Sequence, residues 1–478
     1  MKRESVLRNQ IDDVPLSTLL AGTIVGVYLL VIAGATASIA DAAATCSTWP
    51  ACQLPSTESP ALAVAWGHRV LAATVGVAVL LSAIVGFRRV SDRRVRAALA
   101  VAVVLFPVQV ALGAVVTVTG AAGISPAVHL GVAMSIFGSL VLALAWHLET
   151  MYGDPTEEPD SGVTTQPEPV ETAVDDDHPS TRRDRGPAGE MLATLQAYVR
   201  LTKPRLMWLL CLVASAGMAL ATTGGRTLTV ETILATLSGG VLAIGASGTF
   251  NHVLERDVDK RMQRTSDRPV VTDRIPIRNA VAFGLLLSAL SLAIFATVNV
   301  LAAALGLSAI LFYSVVYTLL LKPNTVQNTV IGGFAGALPA LIGWVAVTGT
   351  FGVPGLALAG IVFLWTPAHF YNLALAYQDD YARGGFPMMP VVRGETVTRK
   401  HILLYLGATL LAASGLATLA NLGVLYGATV SIVGAIFLWA VLVLHRERTT
   451  DAAFRAFHAS NAFLGALLVA VVIDAMAV

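Results

Sequence analysis

The densest group of chemistry-bearing residues lies between Asn251 and Pro269. Asn251, Glu255 and Asp259 recur at i, i+4 and i+8, and on a 3.6-residue helix that spacing stacks side chains on one face. A column of three oxygen-bearing groups suits Mg²⁺, a hard cation that takes one or two carboxylates and completes its shell with water and phosphate oxygens. Arg264 and Arg268, just beyond, offer guanidinium groups for phosphate. The alternative is a solvated loop of mixed charge. A second polar cluster, Tyr377-Gln378-Asp379-Asp380-Tyr381-Ala382-Arg383, tips the balance toward chemistry. Two acidic sites on one membrane face suit two Mg²⁺ ions across a diphosphate. Lys322, Asn324 and Asn328 form a third polar group. They precede Gly332, Gly333 and Gly336, where small residues let helices approach closely.

Histidines supply the other signals. His369 sits near the middle of an apolar run, where a buried histidine bonded to a backbone carbonyl is the plain reading. His68 and His129 each begin an apolar run of the same direction, so both fall at one depth, near the outer leaflet. Two such imidazoles can ligate one heme from opposite faces. Cys46 and Cys52 share a short loop, read as a disulfide or as a redox or heme-handling pair.

The elements that position these residues follow from composition. Of 478 residues, 55% are hydrophobic and 13% charged, about half the charge of ordinary soluble chains. Mean hydropathy is +0.72. So little charge cannot cover a soluble surface, and the same numbers exclude disordered, collagen-like and coiled-coil chains. A net charge of +1 with no basic face excludes a nucleic-acid binder. Three cysteines make no disulfide framework. A polytopic all-α membrane protein remains.

Runs long enough to span the bilayer are predicted near 17–38, 66–86, 98–118 and 126–147, and again near 206–223, 229–250, 276–296, 299–319, 328–348, 354–376, 401–420, 424–444 and 457–477. Between them lies a polar stretch carrying Glu157, Glu158, Asp160 and Asp175-Asp176-Asp177, which cannot offset its ordering entropy by burial. The division is a four-helix bundle over 1–148, an acidic flexible linker over 149–190 and a nine-helix bundle over 191–478. Positive flanks (Lys2, Arg3, the arginines at 88–96, Lys203 and Arg205) place the N-terminus, the linker and the acidic clusters on the cytoplasmic side of the plasma membrane. The first apolar run is long and lacks a clear cleavage site, so no cleavable signal peptide is expected.

The second module resembles the UbiA superfamily of intramembrane prenyltransferases, and within it the heme O synthase branch. The matching stretches are Leu201-Thr-Lys-Pro-Arg205, Asn251 through Pro269, Asn324 through Trp344, Trp365-Thr-Pro-Ala-His369-Phe370, and Asp380-Tyr381 leading to Pro387-Met-Met-Pro390 and Gly394. Two departures are Gly384 where the second motif often has an acid, and Lys322-Pro323 where a basic pair is often seen. The resemblance implies Mg²⁺ on Asn251, Glu255, Asp259 and Asp380. It implies a farnesyl diphosphate whose charge is shared by Arg264, Arg268 and Lys322, with Asp379 also at the diphosphate site, and heme b as the acceptor, with His369 as a candidate contact to its iron or a propionate. A quinone or lipid acceptor, or a non-enzymatic heme transporter or scaffold, is the competing reading.

The first module resembles one half of heme A synthase, on Cys46-Ser-Thr-Trp-Pro-Ala-Cys52, His68-Arg69, Gln109 through Thr117 and His129-Leu130. Ala65 stands three residues before His68, where a glutamate is usual. The resemblance therefore implies binding or transfer of a second heme, and oxidation would require a dimer or a partner in heme A synthesis.

Overall fold

A computed structural model describes residues 15–39, 49, 60–119, 125–154 and 186–477. Cys46, Cys52, Lys2, Arg3 and most of the acidic linker lie outside the described residues. Within them every element is a helix. Among the described residues thirteen helices are long and apolar enough to cross a membrane, the number expected from the sequence.

They are α1 (Leu16–Ile39), α2 (Pro60–Arg89), α3 (Arg93–Thr119), α4 (Ser125–Tyr152), then a short α5 (Pro187–Leu201), α6 (Pro204–Thr222), α7 (Val230–Leu254) and a one-turn α8 (Arg256–Asp259). There follow α9 (Ile277–Val298), α10 (Val300–Leu311) running into a π-helical segment (Phe312–Leu321), α11 (Asn328–Thr348), α12 (Val353–Ala376), a short α13 (Gln378–Gly384), α14 (Met389–Leu419), α15 (Val424–Glu447) and α16 (Thr450–Ala477). Local chemistry sets several ends. Pro204 opens α6, where its missing N–H costs nothing. The Thr229 hydroxyl caps α7 by accepting from Thr232 N at 3.2 Å, and the Asn299 side chain caps α10 by accepting from Ala302 N at 2.8 Å. The predicted run at 401–420 is the end of a longer helix. α14 begins at Met389 and breaks its helical geometry at Gly394, whose φ of 79° suits glycine.

The described chain forms two compact units that cut across the sequence modules. One unit joins residues 1–156 to 399–477. The other holds 157–398. Composition and charge divide the sequence at the acidic linker; packing divides the fold within α14, because the last helices carry surfaces matched to the first four. In the first unit the Tyr28 hydroxyl donates to Leu410 O at 3.2 Å. Ile32 sits so close to Gly427 that an added Cβ would meet it at 2.5 Å. Lys400 pairs with Glu149, and Arg446 donates to the Thr18 hydroxyl at 2.9 Å. In the second unit α6 and α11 touch backbone to backbone. A Cβ on Gly217 would strike the Ala340 carbonyl, and one on Gly343 the Ala214 carbonyl. Small residues allow this approach in the absence of a hydrophobic drive between helices.

Candidate functional site

The acidic column survives folding but not as one helix. α7 ends at Leu254, Glu255 turns away from helical geometry (φ −93°, ψ 4°), and α8 carries Asp259. All three side chains stay buried: Asn251 is 2% exposed, Glu255 5% and Asp259 1%. Buried carboxylates require partners, and each donor of the column has one from another segment. Lys322 Nζ lies 2.6 Å from Glu255 Oε1. Arg268 lies 2.5 Å from Asp259 Oδ2 and 3.7 Å from Glu255 Oε2. Lys203 donates to Asn251 Oδ1 and to the Tyr313 hydroxyl at 3.3 Å.

Lys203 is the site residue that sequence reasoning missed: by sequence it is a flanking charge and part of the matching stretch 201–205, without a role at the column. Its backbone is left-handed (φ 54°) and it immediately precedes Pro204, which disfavours the ordinary helical region for the residue before it. The turn is held against α7 by Gly248, where a Cβ would meet Leu201 O at 2.9 Å. The available signal was a lysine at a proline-started membrane helix. The π-helical segment adds Tyr313 and Thr318, whose hydroxyl accepts from Asn251 Nδ2 at 3.2 Å. Its altered register is the kind of helix irregularity often found at functional sites.

The electrostatics follow from these pairs. Burial opposes ionisation of Glu255, yet Lys322, Lys203 and Arg268 hold its carboxyl below the usual range. For Asp259 burial outweighs Arg268 and raises it. Burial, then repulsion from Arg268, pushes the Lys203 ammonium down to about 7. Counted as formal charges, two carboxylates face three basic groups, so the cluster carries an excess of one positive charge.

Arg264 and Arg268 part company. While Arg268 turns to the column, the Arg264 guanidinium lies 4.7 Å from the Tyr377 ring centroid and 5.6 Å from that of Tyr381. Asp380 is buried but directed elsewhere. Its Oδ1 accepts from Gln263 N at 3.1 Å and its Oδ2 from Arg264 N at 3.2 Å, and Arg383 pairs with it. Burial would raise its carboxyl, but these donors keep it below the usual range. Asp379 is exposed. Asn251, Glu255 and Asp259 are thus brought together with Lys322, Arg268 and Lys203, and Asp380 with Arg264 and Arg383. His369 stacks on Trp365 along α12, centroids 4.3 Å apart.

Among the described residues no three His, Cys, Asp or Glu side chains converge as a metal cage. Two carboxylates and an amide fit Mg²⁺, whose shell is completed by water and phosphate oxygens. In the first unit the His68 ring packs on Gly34 and the His129 ring on Gly113, where an added Cβ would meet them at 3.3 and 3.2 Å. The Gln109 amide lies 3.1 Å from His129 Nε2. Among the described residues, Nδ1 of both histidines is buried without a hydrogen-bond partner.

Comparison with known proteins bears on this geometry. Residues 209–467 match the UbiA prenyltransferase family. A protoheme IX farnesyltransferase of Haloarcula marismortui is 63% identical over 464 residues, 96% of this chain and 98% of that one. The match therefore includes the N-terminal helices. A protoheme IX farnesyltransferase of Roseiflexus castenholzii is 36% identical, covering 94% of this chain and 82% of that one. Among solved structures, a digeranylgeranylglyceryl phosphate synthase superposes with a TM-score of 0.51 at 15% identity, covering 60% of this chain and all of that one, a likeness of fold alone. The buried acidic column at the helix ends, the thirteen apolar helices and full-length identity of this order lead to one conclusion: the chain is an enzyme of the UbiA prenyltransferase family, among the protoheme IX farnesyltransferases.

Proposed function

We propose that the chain transfers the farnesyl group of farnesyl diphosphate to a vinyl group of protoheme IX (heme b), giving heme O and diphosphate. The observation that carries this reading is the buried column of Asn251, Glu255 and Asp259, each matched by a basic side chain from another segment. Mg²⁺, when bound by that column, supplies positive charge to the leaving diphosphate. Lys322, Arg268 and Lys203 then donate to the diphosphate oxygens where negative charge develops. The C1–O bond of the farnesyl ester breaks and the vinyl π electrons form a bond to C1. Water adds to the resulting cation beside the macrocycle and loses a proton, leaving a hydroxyethylfarnesyl group. Tyr313 and Tyr317, their ring centroids 5.6 Å apart and their planes tilted by 33° on the π-helical segment, wall the allylic centre from water until that bond forms.

The rest of the reading is of the same kind. The transfer site and the N-terminus face the cytoplasm of the plasma membrane, with residues 191–478 carrying the transfer. His369 contacts the acceptor heme. The 1–148 module holds a second heme on His68 and His129 and passes product to a partner in heme A synthesis. Cys46 and Cys52 form a disulfide outside.

The test is heme extraction from membranes containing the intact protein, resolved by mass. Heme O that requires added Mg²⁺ and farnesyl diphosphate, and that disappears in inserted Asp259→Ala protein, is the expected result. Unchanged heme b with both substrates present and the protein folded would overturn it.

A further inference from the structure

The turn from Lys260 to Arg268 has two chemical faces. On one, Arg268 meets Asp259 and Glu255. On the other, a cavity of about 420 Å³ is lined by Arg264, Tyr377, Asp379, Asp380 and Arg383. The charge balance of the two faces differs. Three basic groups face two carboxylates at the column. In the cavity two guanidiniums face two carboxylates, so it has no excess of positive charge for a polyanion. Asp379, exposed at its rim, adds repulsion against a diphosphate.

Arg264 is nevertheless prepared for an anion. Arg383 pairs with Asp380, whose oxygens also accept from the Gln263 and Arg264 amides. The Arg264 guanidinium donates to a neutral partner, the Tyr381 hydroxyl at 3.4 Å. Two tyrosine rings fix its plane, and Tyr381 is itself 2% exposed and packed among Met262, Phe386 and Met388. A planar, pre-oriented guanidinium with donors to spare suits one carboxylate held by two parallel hydrogen bonds.

We infer that Arg264, oriented by Tyr377 and Tyr381, holds a propionate carboxylate of the porphyrin acceptor, and that this cavity receives the acceptor's polar edge. The inference rests on the farnesyl-to-protoheme reading. It moves Arg264 and Asp379 from the diphosphate to the acceptor side. The propionates of protoheme lie on the half of the macrocycle opposite its vinyl groups. Holding them at this face directs a vinyl edge away from the cavity, and the shared turn ties that anchor to the column.

The experiment is steady-state kinetics on the full-length protein with two acceptors, heme b and its dimethyl ester. A charge-assisted bidentate contact is worth about 1.5–3 kcal/mol, or about 10- to 100-fold in KM. Wild-type protein is expected to lose that factor with the ester. Arg264→Gln is expected to lose it with heme b, to lose nothing further with the ester, and to keep its KM for farnesyl diphosphate and its inhibition by inorganic diphosphate. If Arg264→Gln does not fold, Arg264→Lys, which keeps charge but loses the fork, is compared in the same way. Additive losses from the ester and the variant overturn the inference, as does a raised KM for farnesyl diphosphate, or equal use of both acceptors by wild type. Wild-type protein that makes no heme O at all refutes the underlying reading instead.

Discussion

Lys322→Gln is the sharpest probe of the acidic column. Lys322 Nζ lies 2.6 Å from Glu255 Oε1, and Glu255 is 5% exposed. At an effective dielectric of about 20 the gross attraction at that distance is roughly 6 kcal/mol. Removing one partner of a buried pair costs about 3–5 kcal/mol net, because a charge is left uncompensated. Arg268, at 3.7 Å from the other Glu255 oxygen, takes up part of the loss, so the lower end, about 3 kcal/mol of stability, is expected. The rate effect is separate. Loss of one donor to developing negative charge costs about 2.7–4 kcal/mol, about 100-fold or more in kcat/KM for farnesyl diphosphate. A third consequence has the opposite sign. With its competing ammonium gone, Glu255 is more available to Mg²⁺, so the Mg²⁺ concentration for half-maximal rate should fall. Thermal melts, steady-state kinetics in farnesyl diphosphate and Mg²⁺ titrations of the purified variant read the three in turn. A kcat/KM within about 3-fold of wild type, or a raised Mg²⁺ requirement, would refute the reasoning, since each says that Lys322 positions the column and neither competes for it nor serves the diphosphate.

Other outcomes follow from the same structure. Gly343→Ala puts a methyl onto the Ala214 carbonyl; α6 and α11 must separate, and a melting point lowered by the equivalent of about 1–3 kcal/mol is expected, with an unshifted melt showing that the helices do not touch there. Asp380→Asn tests a carboxyl held below its usual range. A depressed folded pKa stabilises above the unfolded value, near 3.9, and that stability is lost as pH falls through the folded pKa. Wild type should therefore out-melt the variant at pH 6, and the gap should close as pH falls below the unfolded value; a constant gap would assign the effect to packing. His68→Ala and His129→Ala should each remove the absorbance of a second heme while sparing heme O formation; unchanged heme content in both would refute the paired-ligand reading.

Much of the site was legible because its chemistry is local. Asn251, Glu255 and Asp259 are one helical face apart by spacing, and ionisable groups beside apolar runs stand out against hydrocarbon. Lys203 was not legible as a site residue. By sequence it is an ordinary flanking charge, and only a left-handed turn brings it to Asn251, while the π-helical segment brings the Tyr313 hydroxyl to the Lys203 ammonium. Arg264 and Arg268, four residues apart in a row of charges, are equivalent by type and spacing; the fold separates them, bringing the distant rings of Tyr377 and Tyr381 to Arg264 and turning Arg268 back to Asp259 and Glu255.

Length, composition and the thirteen apolar runs determined by themselves that the chain is a bundle of membrane helices, because a backbone in hydrocarbon must satisfy its hydrogen bonds within each span. Tertiary structure decided which helices belong together. The sequence breaks at its acidic linker, but helices 399–477 pack with the first four, since contact between helices in lipid depends on matched small residues and paired polar groups such as Gly427 with Ile32 and Lys400 with Glu149. Those complementarities are written on surfaces hundreds of residues apart, where neither periodicity nor composition records them.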